Sequence, residues 1–164
     1  MRLIIAALAL TATPALAEVR DATATGFVSA HSAFVAAPPA KVWTTLIDWP
    51  RWWPAQHSYS GKAPTLDLRA GGALAERWAG GDVLHATVLN IQRRKLLRLG
   101  GGFGPLQALT SNAILDLTLA VEGAGTRLTM TYRVGGPGTG PLAAPVDGVM
   151  ASGFANLVKN AAAN

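Results

Sequence analysis

The 164-residue chain contains no cysteine. Disulfides, thiol catalysis and thiolate metal sites are therefore excluded together, and the fold must be held by packing. Histidine is scarce: His31, His57 and His85 are the only three, and they are dispersed. No HExxH or similar ligand cluster occurs, and neither GxSxG nor a P-loop is present. No metal and no cofactor are expected. Charge is also sparse, at 14 % of residues. The basic residues outnumber the acidic ones, 14 to 9, but are scattered. The single basic run, Arg93-Arg94-Lys95, reads as a solvated turn between strands, so nucleic-acid binding is not expected. The longest apolar run, Leu3–Leu10, is well short of the roughly 20 residues that span a bilayer.

What the chain does have begins at its start. Arg2 precedes LIIAALAL, and Ala15-Leu16-Ala17 places small residues at the −3 and −1 positions before Glu18. This is the pattern of a Sec-type signal peptide over residues 1–17. It implies a cleaved leader, one domain over 18–164, and a periplasmic or secreted location.

Four of the five tryptophans fall in WTTLIDWPRWWP, residues 43–54. The segment follows a strand predicted over Ala24–Ala37. Pro39 suits the first turn of a short helix to about Ile47, with Val42, Trp43, Leu46 and Ile47 on one stripe. Asp48 and Pro50 then start a second short turn. Trp43 is expected in the core and Trp49 in a structural role. Trp52 or Trp53 is expected at a pocket rim, since pockets are lined by aromatics with few polar groups. A transient membrane-surface contact through these rings, with Lys41 and Arg51, is the competing use.

The remaining chain reads as β-rich. Strands are predicted at Thr65–Arg69, Ala73–Ala79, Val83–Gln92 and Leu96–Leu99. A hairpin then runs through Thr110–Val121 and Thr126–Val134 around EGAG. In its second arm Leu128, Met130, Tyr132 and Val134 alternate with polar neighbours, giving one buried and one wet face. After a Gly/Pro loop, a long helix is predicted from about Val146 to Ala162. Gly148 and Gly153 lie inside it at about 1 kcal/mol each relative to alanine, which implies close approach by another element or a ligand. The expected class is α+β: a curved antiparallel sheet of about six to seven strands around a long C-terminal helix, with two short helices after the first strand.

The order and several words of this sequence resemble the SRPBCC superfamily, the START-like or helix-grip fold. AFVAAPPAKVWTTLIDWPRWWP (33–54) resembles its opening. GGALAERW (71–78), HATVLNIQRRKLLRLGGGFGPLQ (85–107) and EGAGTRLTMTYRV (122–134) resemble its Gly-Gly turn and strand, its strand–turn–strand with a Gly-Pro-Leu loop, and its last hairpin. The resemblance implies an apolar cavity between sheet and long helix. It also implies relatives among lipid-transfer domains, hormone and metabolite binders, polyketide cyclases and chaperone-ATPase activators.

On that frame the first expectation is a carrier for a hydrophobic small molecule or lipid. Trp52, Trp53, Trp78, Phe103, Tyr132, Met150 and Phe154 would line the cavity, with GGGFG (100–104) as a mobile loop at its mouth. The second is a cyclase- or dehydratase-type enzyme with Glu76 and His85 as acid and base, because a Glu–His pair in an apolar cavity can move protons. The preferred reading of that pair is nevertheless a cross-strand contact on the solvent face. The third is a chaperone-activator-like interaction module, which a signal peptide argues against. Asp116 and Arg98 interrupt apolar alternation and are expected to face water. Asp147 reads as a helix-dipole residue, and Gln107 as an alternative hydrogen-bonding group.

Overall fold

The computed structural model describes residues 16–163. The expected leader over 1–17 lies outside them except for Leu16 and Ala17. Eight antiparallel strands form one sheet in the order β1-β2-β8-β7-β6-β5-β4-β3. They are β1 (Leu16–Thr23), β2 (Gly26–Val35), β3 (Thr65–Leu66), β4 (Ala73–Trp78), β5 (Gly81–Gln92), β6 (Leu96–Gly100), β7 (Asn112–Glu122) and β8 (Gly125–Gly135). A short helix α1 (Pro39–Ile47) and two single 3-10 turns, Trp49–Arg51 and Ala55–His57, follow β2. The long helix α2 spans Ala143–Ala162. The architecture is the expected α+β grip of a sheet on a terminal helix. One strand more than the upper expectation is present, because β1 pairs with β2 through residues that overlap the expected leader and its cleavage point.

Alternation decides which face meets α2. On β2 the inward residues include Phe27, Ser29, His31, Ala33 and Val35, all buried. On β8 they are Leu128, Met130, Tyr132 and Val134, and on β7 Leu115, Leu117 and Leu119. From the other side α2 buries Val146, Met150, Gly153, Phe154 and Leu157, while α1 buries Val42, Trp43 and Leu46. Val149 and Val158, expected on the same stripe, are only half-buried.

The tryptophan segment closes one end of this core. Trp43 and Trp49 are buried as expected. The Trp49 ring lies 4.4 Å from that of Trp52 and 5.2 Å from that of Trp53. Gly153 explains part of the packing: a Cβ there would sit 3.2 Å from the Trp53 ring. Glycine lets α2 approach the tryptophans at the cost in helix propensity noted above. Gly148 has open space at the same position, so no close approach accounts for it.

Candidate functional site

A cavity of about 230 Å³ lies where the first two turns of α2 meet the β6–β7 loop and the segment after α1. Trp53, His57 and Pro64 line it from the post-α1 segment, and Phe103, Gly104 and Pro105 from the loop. Pro145, Val146, Val149 and Met150 line it from α2, and His85 from β5. Three of the walls carry proline, which offers no backbone N–H. Those positions offer no backbone donor, and neither lysine nor arginine contributes to the wall.

The loop is held firmly. The Tyr132 hydroxyl donates to the Gly101 carbonyl at 2.9 Å and accepts from the Phe103 N–H at 3.0 Å. Burial pushes the Tyr132 phenol well above its ordinary value, so it stays a neutral donor–acceptor bridge. Gly101 packs so close to β5 that a Cβ would overlap the His85 carbonyl oxygen. Gln107 Nε2 donates to the Leu84 carbonyl at 3.0 Å from the loop's far end. Phe103 thus stands against the His85 ring, with centroids 5.8 Å apart and planes at 16°.

His85 reaches this position through a β-bulge. Leu74 and Ala75 of β4 are adjacent, but their partners on β5 are Ala86 and Leu84, so His85 is the extra residue. A bulge re-aims a side chain. Leu84 is exposed, whereas His85 and Ala86 are consecutively buried. The expected solvent-face pair is thereby overturned. Glu76 and His85 are both buried, and His85 Nε2 lies 2.6 Å from Glu76 Oε1. The Tyr59 and Ser60 backbone N–H groups donate to the same carboxylate at 3.3 and 2.7 Å. Burial by itself would raise the Glu76 pKa. The hydrogen bonds from Ser60, His85 and Tyr59 outweigh it and hold the carboxyl below its ordinary value. Glu76 is thus a fixed carboxylate acceptor, and Nε2 carries the proton between the two groups. The other ring nitrogen, Nδ1, is buried with no protein partner.

Three residues expected at the cavity are there: Trp53, Phe103 and Met150. Four others lie elsewhere. Trp52 is fully buried behind Trp53 and donates its Nε1–H to the Leu46 carbonyl at 3.1 Å. Tyr132 supports the loop instead of lining the space. Phe154 packs in the core beside His31, with ring centroids 5.7 Å apart. Trp78 shares a strand face with Glu76 but lies beyond the core, 39 % exposed, against the glycines of the β4–β5 turn. Trp49, Trp52 and Trp53 are buried, so they form no exposed aromatic belt.

Residues 27–163 match a protein family described as polyketide cyclase / dehydrase and lipid transport. The chain belongs to this family. Solved structures share the fold at low identity. Protein CV1439 of Chromobacterium violaceum is 17 % identical with a TM-score of 0.64, over 84 % of this chain and 98 % of that one. Mll3558 of Rhizobium loti is 19 % identical with a TM-score of 0.63, over 82 % and 96 %. CalU16 of Micromonospora echinospora is 18 % identical with a TM-score of 0.62, over 92 % and 87 %. No curated protein matches the sequence.

In this member of the family a second buried histidine forms a cluster that sequence reasoning missed. His31 Nε2 lies 3.0 Å from Ser29 Oγ and 3.2 Å from Asp147 Oδ1, and Ser29 donates to the same Asp147 oxygen at 2.7 Å. Asp147 ties α2 to β2, beyond its expected dipole role. Burial lowers the His31 pKa against the raising effect of Asp147. Asp116 lies on the outer face as expected, yet it is buried under two arginines. Arg98 grips it through two bonds of 2.7 and 3.0 Å, and Arg133 through one of 3.0 Å. The prolines of the cavity wall were read only as punctuation.

Proposed function

We propose that the protein binds a small apolar molecule in the cavity beside His85 and serves as its periplasmic carrier. The observation that carries this reading is the apolar, half-open cavity between α2, Phe103 and Trp53. Affinity would come chiefly from burying ligand surface, at roughly 25 cal/mol per Å². The leader pattern at residues 1–17 supports the periplasmic location. The test is native mass spectrometry of protein purified from the periplasm, compared with its denatured mass. A stoichiometric apolar adduct on a chain starting at Glu18 is expected. Full-length chain in the cytosol, or protein that takes up no apolar probe, would overturn the reading.

A second reading is favoured by one observation, the Glu76–His85 pair with its unpartnered Nδ1. In an enzyme His85 would be the base. Glu76 would hold the ring and its tautomer instead of serving as the acid, because its carboxyl is held ionised. Loss of turnover in both Glu76→Gln and His85→Ala, with folding retained, would establish this role. Retained turnover in folded His85→Ala would remove it.

A further inference from the structure

The size and depth of the cavity restrict the class of its occupant, an inference that rests on the binding reading above. Its volume of about 230 Å³ lies below the roughly 300–1,000 Å³ of pockets for drug-sized ligands. A cavity of about 150 Å³ accepts benzene, so on that scale this one takes about nine or ten carbons. A long acyl chain would have to continue into the seam between α2 and the sheet.

That seam is already filled by the protein's own side chains. Among the described residues of α2, Met150 is the last to line the cavity, and it is buried. One turn further on, Phe154 packs beside His31, and Leu157 and Ala161 are buried beyond it. Leu117, Leu128 and Met130 belong to the same core from the sheet side. The flank is closed as well. A Cβ at Gly153 would sit 3.2 Å from the Trp53 ring and 3.5 Å from that of Trp52, so helix and tryptophans leave no room for a chain between them. Phe103 is pinned by the Tyr132 hydroxyl, with its ring centroid 6.1 Å from that of Trp53 and 6.3 Å from that of Trp49. The cavity is thus blind at its inner end, while His57 and Pro105 on its lining are exposed to water. Trp53 and His57 bring side-chain N–H groups to the lining, so the wall does not exclude a ligand that carries a polar group. The filter it imposes is one of length.

We propose that the protein selects a compact apolar molecule of about ten carbons or fewer and rejects long-chain lipids. Met150 is the floor that sets the limit. A longer chain leaves its remainder in water, where further methylenes add no burial and so no affinity.

The experiment is displacement of naphthalene by straight-chain primary alkanols, from butanol to dodecanol, followed by tryptophan fluorescence. It is run on the wild-type protein and on Met150→Ala. Each methylene that enters the cavity should raise affinity about fourfold. The rise is expected to level off near octanol, leaving dodecanol less than about tenfold tighter than octanol. A cavity that took the whole chain would give about 200-fold over the same four methylenes. A gain above tenfold would sink this inference and leave the apolar carrier standing. A protein that binds no naphthalene would remove both. Met150→Ala lowers the floor, and its dodecanol-to-octanol ratio should exceed the wild-type ratio about fourfold, one further methylene's worth. An unchanged ratio in the folded variant would overturn the role of Met150. Should Met150→Ala not fold, Met150→Val makes a smaller truncation, with the same direction expected and the same contrary result.

Discussion

The molecule buries two histidine–carboxylate pairs, and they differ in where the ring sits. At Ser29, His31 and Asp147 the imidazole sits in the seam between β2 and α2, away from the cavity, beside Phe154. Its Nε2 is shared between a hydroxyl and a carboxylate, and the cluster fastens helix to sheet. At Glu76 and His85 the carboxylate takes three donors, and the ring borders open space with a nitrogen unpartnered. Residue type and burial are alike in both places. Only the second ring lines a cavity, so a buried His–carboxylate pair is not by itself a site.

The largest effect expected from breaking this comparison is at Glu76. Glu76→Ala strands the His85 Nε2–H and two backbone donors, and should cost about 3 kcal/mol in urea unfolding. Glu76→Gln, which keeps an acceptor, should cost clearly less. Next comes the wall facing His85. Gly101→Ala forces a Cβ into the β5 backbone, and should cost about 2 kcal/mol while weakening apolar ligand binding, since it displaces the loop that carries Phe103. Asp147→Ala is milder. It removes the α2 tether at a partly solvated carboxylate and should cost about 1 kcal/mol, with naphthalene affinity unchanged in a tryptophan-fluorescence titration.

The pH response separates the pairs most finely. His31 has a folded-state pKa below its ordinary 6.5, so the unfolded chain binds that proton first. Stability is full above 6.5 and begins to fall as pH drops through that value. His31→Gln should flatten this part of the profile. Glu76 and Asp116 have depressed carboxyl pKa values, so the unfolded chain again binds protons first. Their contribution is present above the ordinary carboxylate range and is lost at lower pH, as pH falls through their folded values. Denaturation midpoints measured across pH 7.5 to 3 would show two separate declines, about these two ranges.

Much of the fold was legible because it rests on alternation. Leu128, Met130, Tyr132 and Val134 face inward as their spacing implies, and Pro39 opens α1. The site was less so. A bulge is one unpaired residue, and nothing in GDVLHATVLNIQ marks His85 as that residue. The strand parity of the Glu76–His85 pair was therefore open, and a solvent-face contact was the plainer reading. Trp78 shows the complementary error: its side of the strand was right, but β4 outruns the core. Asp147 and His31 meet across 116 positions of chain, a contact that only the folded grip reveals.

Histidine ¹⁵N spectra of the uniformly labelled protein, before and after saturation with naphthalene, test the contrast between the two pairs most directly. An apolar ligand in the cavity should move the His85 ring resonances, leave its Nε2 protonated, and leave both His31 nitrogens in place. Unmoved His85 resonances in the ligand-saturated protein, or a shift at His31 instead, would contradict it.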